Sequence, residues 1–222
     1  RRGLRERGVV YAGAHVRGGG EMGRRWYDDG KLLAKTNSFT DTLACVDHLV
    51  TSGWFAADRV GLEGGSAGGL LVGAVLNLAP ERFRVVHAAV PFVDALTTML
   101  QPDLPLTVGE WEEWGNPLAD PQVYAAMRAY APYENVRAAA YPAVLATSSL
   151  HDTRVYVTEP AKWVARLRDV VTNDPQTRPI LLRTELSAGH GGRSGRYAAW
   201  EQIAWEWAFV LDQLSATRRV SG

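Results

Sequence analysis

The sequence predicts an α/β fold built on a mostly parallel, open sheet. Two observations lead there. Short apolar runs rich in Val, Ala and Leu recur at 9–16, 60–63, 85–90, 143–147 and 180–186, bounded by Gly, Pro or Asp. They are near-continuous rather than alternating, the pattern of strands buried on both faces. Helical patterns separate them, and that alternation implies right-handed crossovers with ligands at the carboxyl ends of the strands.

Taken in order, residues 1–8 read as a charged helical end running straight into the first strand, as though the polypeptide continued upstream. Asn37, Ser38, Thr40 and Asp41 offer N-caps for a helix through Val50, with Leu43, Val46, Leu49 and Val50 on one face and Gly53 ending it. Residues 67–78 predict a helix apolar nearly all round, and therefore central. Pro160 suits the first turn of a helix through Trp163, Val164 and Leu167. A last helix, 197–214, spaces Trp200, Ile203, Trp207, Val210, Leu211 and Leu214 as one face. The stretch 94–142, rich in Trp, Tyr and Pro, holds no strand pattern and reads as a capping excursion over the sheet edge.

Bulk properties narrow the function. The 222 residues suffice for one large domain or two small ones, and 46% apolar with 22% charged residues is a globular profile. Lys plus Arg equals Asp plus Glu, which argues against nucleic-acid or anionic-membrane partners. The longest apolar run is too short to span a bilayer. Cys45 stands alone, so neither a disulfide framework nor a cysteine metal site is expected; a reducing, cytoplasmic setting is the natural reading. No cofactor or metal ion is expected.

Two glycine patterns compete for attention. Gly18, Gly20 and Gly23 have G-x-G-x-x-G spacing after a strand, but Arg24-Arg25-Trp26-Tyr27 follows instead of an apolar helix, and no second strand ends in a suitably placed acid. A glycine-rich surface loop, with Arg17 and Glu21 in structural ion pairs, is the better reading. Gly64-Gly65-Ser66-Ala67-Gly68 is G-x-S-x-G at a strand-to-helix turn, the context of a nucleophile elbow. There the Ala67 N–H, at a helix N-terminus, faces the developing oxyanion.

A serine nucleophile needs a base, and the base an orienting acid; in this setting the chain order is serine, acid, histidine. His15 precedes Ser66, while His48 and His87 fall inside a helix and a strand. His190 sits in Ala188-Gly189-His190-Gly191-Gly192, a loop directly after the last strand, where a base can reach across the strand ends. Asp152, after the strand at 143–147, lies one helix and one strand before His190 and is favoured over Asp94.

With Ser66, Asp152 and His190 in place, the chain resembles the prolyl oligopeptidase family of serine peptidases. The stretches V-V-Y-A-G-A-H-V-R-G-G-G-E-M-G-R-R-W-Y-D-D-G-K, G-G-S-A-G-G-L-L-V-G-A-V-L-N, L-T-V-G-E-W-E-E-W-G-N-P and A-G-H-G-G-R-S-G-R carry the likeness, which extends over nearly the whole chain. The resemblance implies an α/β-hydrolase catalytic domain cleaving short peptides after Arg or Lys. Glu110 and Glu112 match acids that bind the basic side chain, and carboxylates among aromatic walls suit a guanidinium. Arg154 matches an arginine that binds a substrate carbonyl. The resemblance also implies that residues 1–222 are a partial domain. An N-terminal β-propeller and further strands belong to the same polypeptide, one strand carrying a second oxyanion donor and lying between the first two strands seen here. An esterase or acylaminoacyl peptidase on the same triad, and an inactive binding domain, are the alternatives at this point.

Overall fold

A computed structural model describes residues 2–216. Its strands are β1 (Gly61–Gly65), β2 (Val85–Ala89), β3 (Ala143–Ser149) and β4 (Ile180–Glu185). Its α-helices are α1 (Arg2–Arg5), α2 (Arg24–Asp28), α3 (Thr36–Thr51), α4 (Ala67–Leu78), α5 (Ala95–Met99), α6 (Thr107–Trp114), α7 (Pro121–Tyr130), α8 (Thr158–Val170) and α9 (Arg196–Gln213). The strands form one parallel sheet in the order β1-β2-β3-β4, each joined to the next through at least one helix.

Strand alternation assigns the layers. Val86, Ala88, Val144 and Ala146 pack with Phe39, Leu70, Val75, Trp163 and Leu167, so α3, α4 and α8 cover one face. Val85 and Ala143 point the other way, onto Val210 of α9 and Leu214 directly after it. Both faces of the central strands are thereby dry, and β3 is buried along its whole length. The stretch 94–142 contains α5, α6 and α7 and no strand, as the sequence predicts.

Two expectations need correction. Residues 9–16 form no strand and, among the described residues, pair with none. A cavity of about 1570 Å³ separates them from β1, lined by Tyr11, Ala12, His15, Val60 and Leu62 among others. β1 itself is laddered on one side only, to β2. An apolar run becomes a strand only when another backbone satisfies its N–H and C=O groups, and among the described residues none ladders with it. The second correction concerns α9. Val210 and Leu214 are buried, but Trp200 is 58% and Ile203 49% exposed. The apolar face is continuous in sequence, yet only its C-terminal half lies over β2 and β3.

Candidate active site

A single residue, Ser66, joins β1 to α4, and it adopts φ 54° and ψ −119°. Positive φ is costly for a residue with a Cβ and persists only where surrounding contacts over-determine it. Those contacts are present. The Ser66 N–H donates to the Ala89 carbonyl at 2.9 Å, and the Ser66 carbonyl accepts from Gly69 at 2.8 Å and Phe92 at 3.0 Å. The neighbouring glycines are needed for closeness of approach. A Cβ on Gly64 would run into the Gly68 carbonyl and Val72, and one on Gly69 into Pro91. Ala67 opens α4, so its N–H lies at the positive end of the helix dipole, where a developing anion is stabilised.

Asp152 follows β3, and its side chain is 1% exposed. Its Oδ1 accepts the N–H groups of Arg154 at 2.8 Å and Val155 at 3.0 Å, which fixes the carboxylate plane. Its Oδ2 lies 2.7 Å from Nδ1 of His190. Nε2 of His190 lies 3.0 Å from the Ser66 hydroxyl. Because a carboxylate only accepts, it holds the neutral imidazole proton on Nδ1 and leaves the Nε2 lone pair facing Ser66. The structure thus brings Ser66, His190 and Asp152 into one hydrogen-bonded line at the carboxyl ends of parallel strands. Such a line can take a proton from a hydroxyl and return it to a leaving group.

The other candidates lie elsewhere. Asp94 is buried and paired with Lys162, and its N–H donates to Glu159 at 3.0 Å. His87 is buried in β2, with Nδ1 3.2 Å from Glu63. His15, His48 and His151 are exposed. The glycine-rich loop after residue 16 is fastened by Arg17, which grips Asp41 with two side-chain hydrogen bonds at 2.8 and 2.6 Å. Glu21 sits 3.6 Å from His15 rather than on Arg17.

Glu110 and Glu112 both stand on α6. Residues two apart on a helix do not face each other, so the two carboxylates leave on different sides. Glu110 is half-buried, and its Oε2 accepts the indole N–H of Trp114 at 2.8 Å. Glu112 is exposed. The neighbouring Glu113 pairs with the buried Lys35. α6 is connected to the elbow: the Trp114 and Phe92 rings meet at 5.4 Å, and Phe92 is the residue whose N–H bonds the Ser66 carbonyl. Arg154 is exposed next to Asp152. Sequence reasoning passed over Trp114, although its spacing of four from Glu110 was a legible helical pair.

Residues 2–217 match the sequence model of the prolyl oligopeptidase family. The chain belongs to that family. It is 52% identical to the dipeptidyl aminopeptidase BI of Pseudoxanthomonas mexicana over 97% of this chain and 29% of that protein. It is 48% identical to protease 2 of Moraxella lacunata over 95% of this chain and 30% of that protein. Among solved structures, oligopeptidase B from Leishmania major superposes with a TM-score of 0.93 at 46% identity, covering 97% of this chain and 29% of that one. The parallel sheet and its helices are therefore an α/β-hydrolase fold. The chain spans about 30% of the length of the curated relatives it matches. Among the described residues, no helix is long and apolar enough to cross a membrane.

Proposed function

We propose that this prolyl oligopeptidase family chain is the catalytic part of a longer serine oligopeptidase, cytoplasmic in setting, that hydrolyses short peptides after Arg or Lys. The observation that carries the reading is the unbroken line Ser66 Oγ, His190, Asp152 behind a strained elbow. The remainder of the same polypeptide, a β-propeller included, is its partner, and residues 1–222 are one portion of the hydrolase domain.

The reaction follows from the geometry. Ser66 Oγ attacks the scissile carbonyl carbon while Nε2 of His190 takes its proton. Asp152 holds the Nδ1 proton and stabilises the imidazolium. The Ala67 N–H at the start of α4 stabilises the oxyanion. Collapse of the tetrahedral adduct breaks the C–N bond, with His190 protonating the leaving amine, and an ester remains on Ser66. His190 then deprotonates a water that hydrolyses the ester and regenerates the hydroxyl. Arg154 is positioned beside Asp152 to bind a substrate carbonyl, and Glu110 with Glu112 supplies the negative charge for the basic side chain.

Ser66→Ala in the full-length protein tests the reading. We expect turnover of a chromogenic Arg-ended peptide to fall by about 10⁴-fold or more. Retained turnover would refute the nucleophile assignment.

A further inference from the structure

Beyond the line of Ser66, His190 and Asp152, the Glu110 carboxylate on α6 is held at one oxygen by an aromatic donor of its own helix. Trp114 is 4% exposed, and its indole N–H donates to Glu110 Oε2 at 2.8 Å, one helical turn away. The Trp114 ring is held from two directions. The Lys35 ammonium lies 4.6 Å from its centroid, and the Phe92 ring tilts against it at 5.4 Å. Lys35 also pairs with Glu113. The charge of Glu113 is thus neutralised inside the protein, although Glu113 lies three residues from Glu110 and would otherwise repel it. Oε1 of Glu110 meets no donor among the described residues, which leaves one lone-pair-bearing oxygen for an incoming cation.

We propose that Trp114 is a positioning residue for substrate preference: it orients the Glu110 carboxylate and, clamped between Lys35 and Phe92, ties that carboxylate to the Ser66 elbow. The reason is chemical. A carboxylate free to rotate pays side-chain entropy on gripping a guanidinium, and one already bonded at a single oxygen pays less. The link through Phe92, whose N–H holds the Ser66 carbonyl, fixes the register between the bound side chain and the attacking hydroxyl. This inference rests on the proposed preference for basic residues.

The test compares peptides ending in arginine and in citrulline, its neutral near-isostere, on the full-length protein. Trp114→Phe removes the N–H and keeps a ring. We expect the Arg-to-citrulline ratio of kcat/KM to fall about tenfold, as for one lost hydrogen bond to a charged group. The change should sit in KM for the arginine peptide, with citrulline kinetics unchanged. Replacing the Trp114 indole by benzothiophene, which keeps the shape and lacks the N–H, should do the same and covers the case in which Trp114→Phe does not fold. An unchanged ratio, or equal losses on both peptides, would overturn the proposal. Glu110→Gln separates the two levels. If it collapses the ratio while the Trp114 variants do not, the positioning role fails and the basic preference stands. If it leaves the ratio intact, Glu110 does not carry the preference and the positioning role fails with it. A native ratio near one would refute the basic preference itself.

Discussion

The two sides of β1 differ in a way that explains much of the molecule. On one side β1 pairs along its length with β2, and the elbow at its end is held by β2 and by the loop after it. On the other side lie residues 9–16, a similarly apolar run, with a cavity in between and no ladder among the described residues. Similar local sequence has two outcomes. Order at the elbow comes from backbone partners contained in these residues, and the absence of such partners leaves 9–16 unpaired. The proposed nucleophile is on the closed side, where a strained serine can be held against its own tendency to relax.

If the closed side holds the chemistry, damage there should far exceed equal damage on the open side. After Ser66→Ala, the largest effect is expected from Asp152→Asn. It keeps the shape but lets an amide donate where only an acceptor belongs, favouring the wrong His190 tautomer. Turnover should fall by about 10⁴-fold in steady-state assays with folding intact. A loss under tenfold would show that His190 does not depend on Asp152. Next comes Gly64→Val, whose side chain has to displace the Gly68 carbonyl and Val72. We expect about 2–3 kcal/mol of destabilisation by denaturant titration, and about 10²-fold lower kcat from the shifted Ser66. A stable, active Gly64→Val protein would mean the elbow is not as tightly enclosed as its contacts imply.

The same contrast decides what the sequence could disclose. The strands from β1 to β4 and the helix Ala67–Leu78 were legible because their burial is repeated along the chain, with Gly and Pro as punctuation. Ser66, Asp152 and His190 were legible because each lies at the end of an apolar run, in a loop where packing has no use for it. The apolar run 9–16 reads as a strand but forms none, because a strand is a relation between two segments; the family resemblance, not the pattern, implied that another strand belongs between it and β1. The face of α9 failed similarly: Trp200 and Ile203 have the spacing of core residues, but spacing does not say how far the sheet beneath extends. Glu110 and Glu112 came from the family resemblance rather than from a pattern of their own, and nothing in their spacing told that Trp114 donates to Glu110. Glu159 carried no signal at all, because its burial depends on Asp94 and Thr98, more than sixty residues away.

Glu159 offers a sharper probe of the closed side. It lies under α5, accepting from the Asp94 N–H at 3.0 Å and the Thr98 hydroxyl at 2.7 Å, with the Asp94–Lys162 pair beside it. Burial pushes its carboxyl up to about 7, against the opposing pull of those two hydrogen bonds, from an ordinary value of 4.5. The native state therefore keeps a proton that the unfolded chain releases. Its contribution to stability is fully present below about pH 4.5 and is lost as pH rises through about 7. The loss is of order 3 kcal/mol at most. Glu159→Gln, which can still accept from Asp94 and donate to Thr98, should flatten the decline in a series of urea titrations between those pH values. An identical slope in the variant would assign the pH dependence elsewhere.

The smallest expected effect comes from the open side, and it is informative because it is small. A Cβ added at Gly13 meets nothing, whereas at Gly64 it meets backbone. Gly13→Ala in the isolated 222-residue chain should therefore change stability by less than about 0.5 kcal/mol. Amides of 9–16 should exchange with solvent far faster than those of β2 and β3, since no ladder protects them. In the full-length protein the family resemblance implies another strand in the cavity beside β1. There the same amides should become protected, and Gly13→Ala should cost more than it does in the isolated chain. Equal exchange of 9–16 in the two forms would mean that the space beside β1 is not filled by a backbone, and the contrast between its two sides would belong to the fold itself.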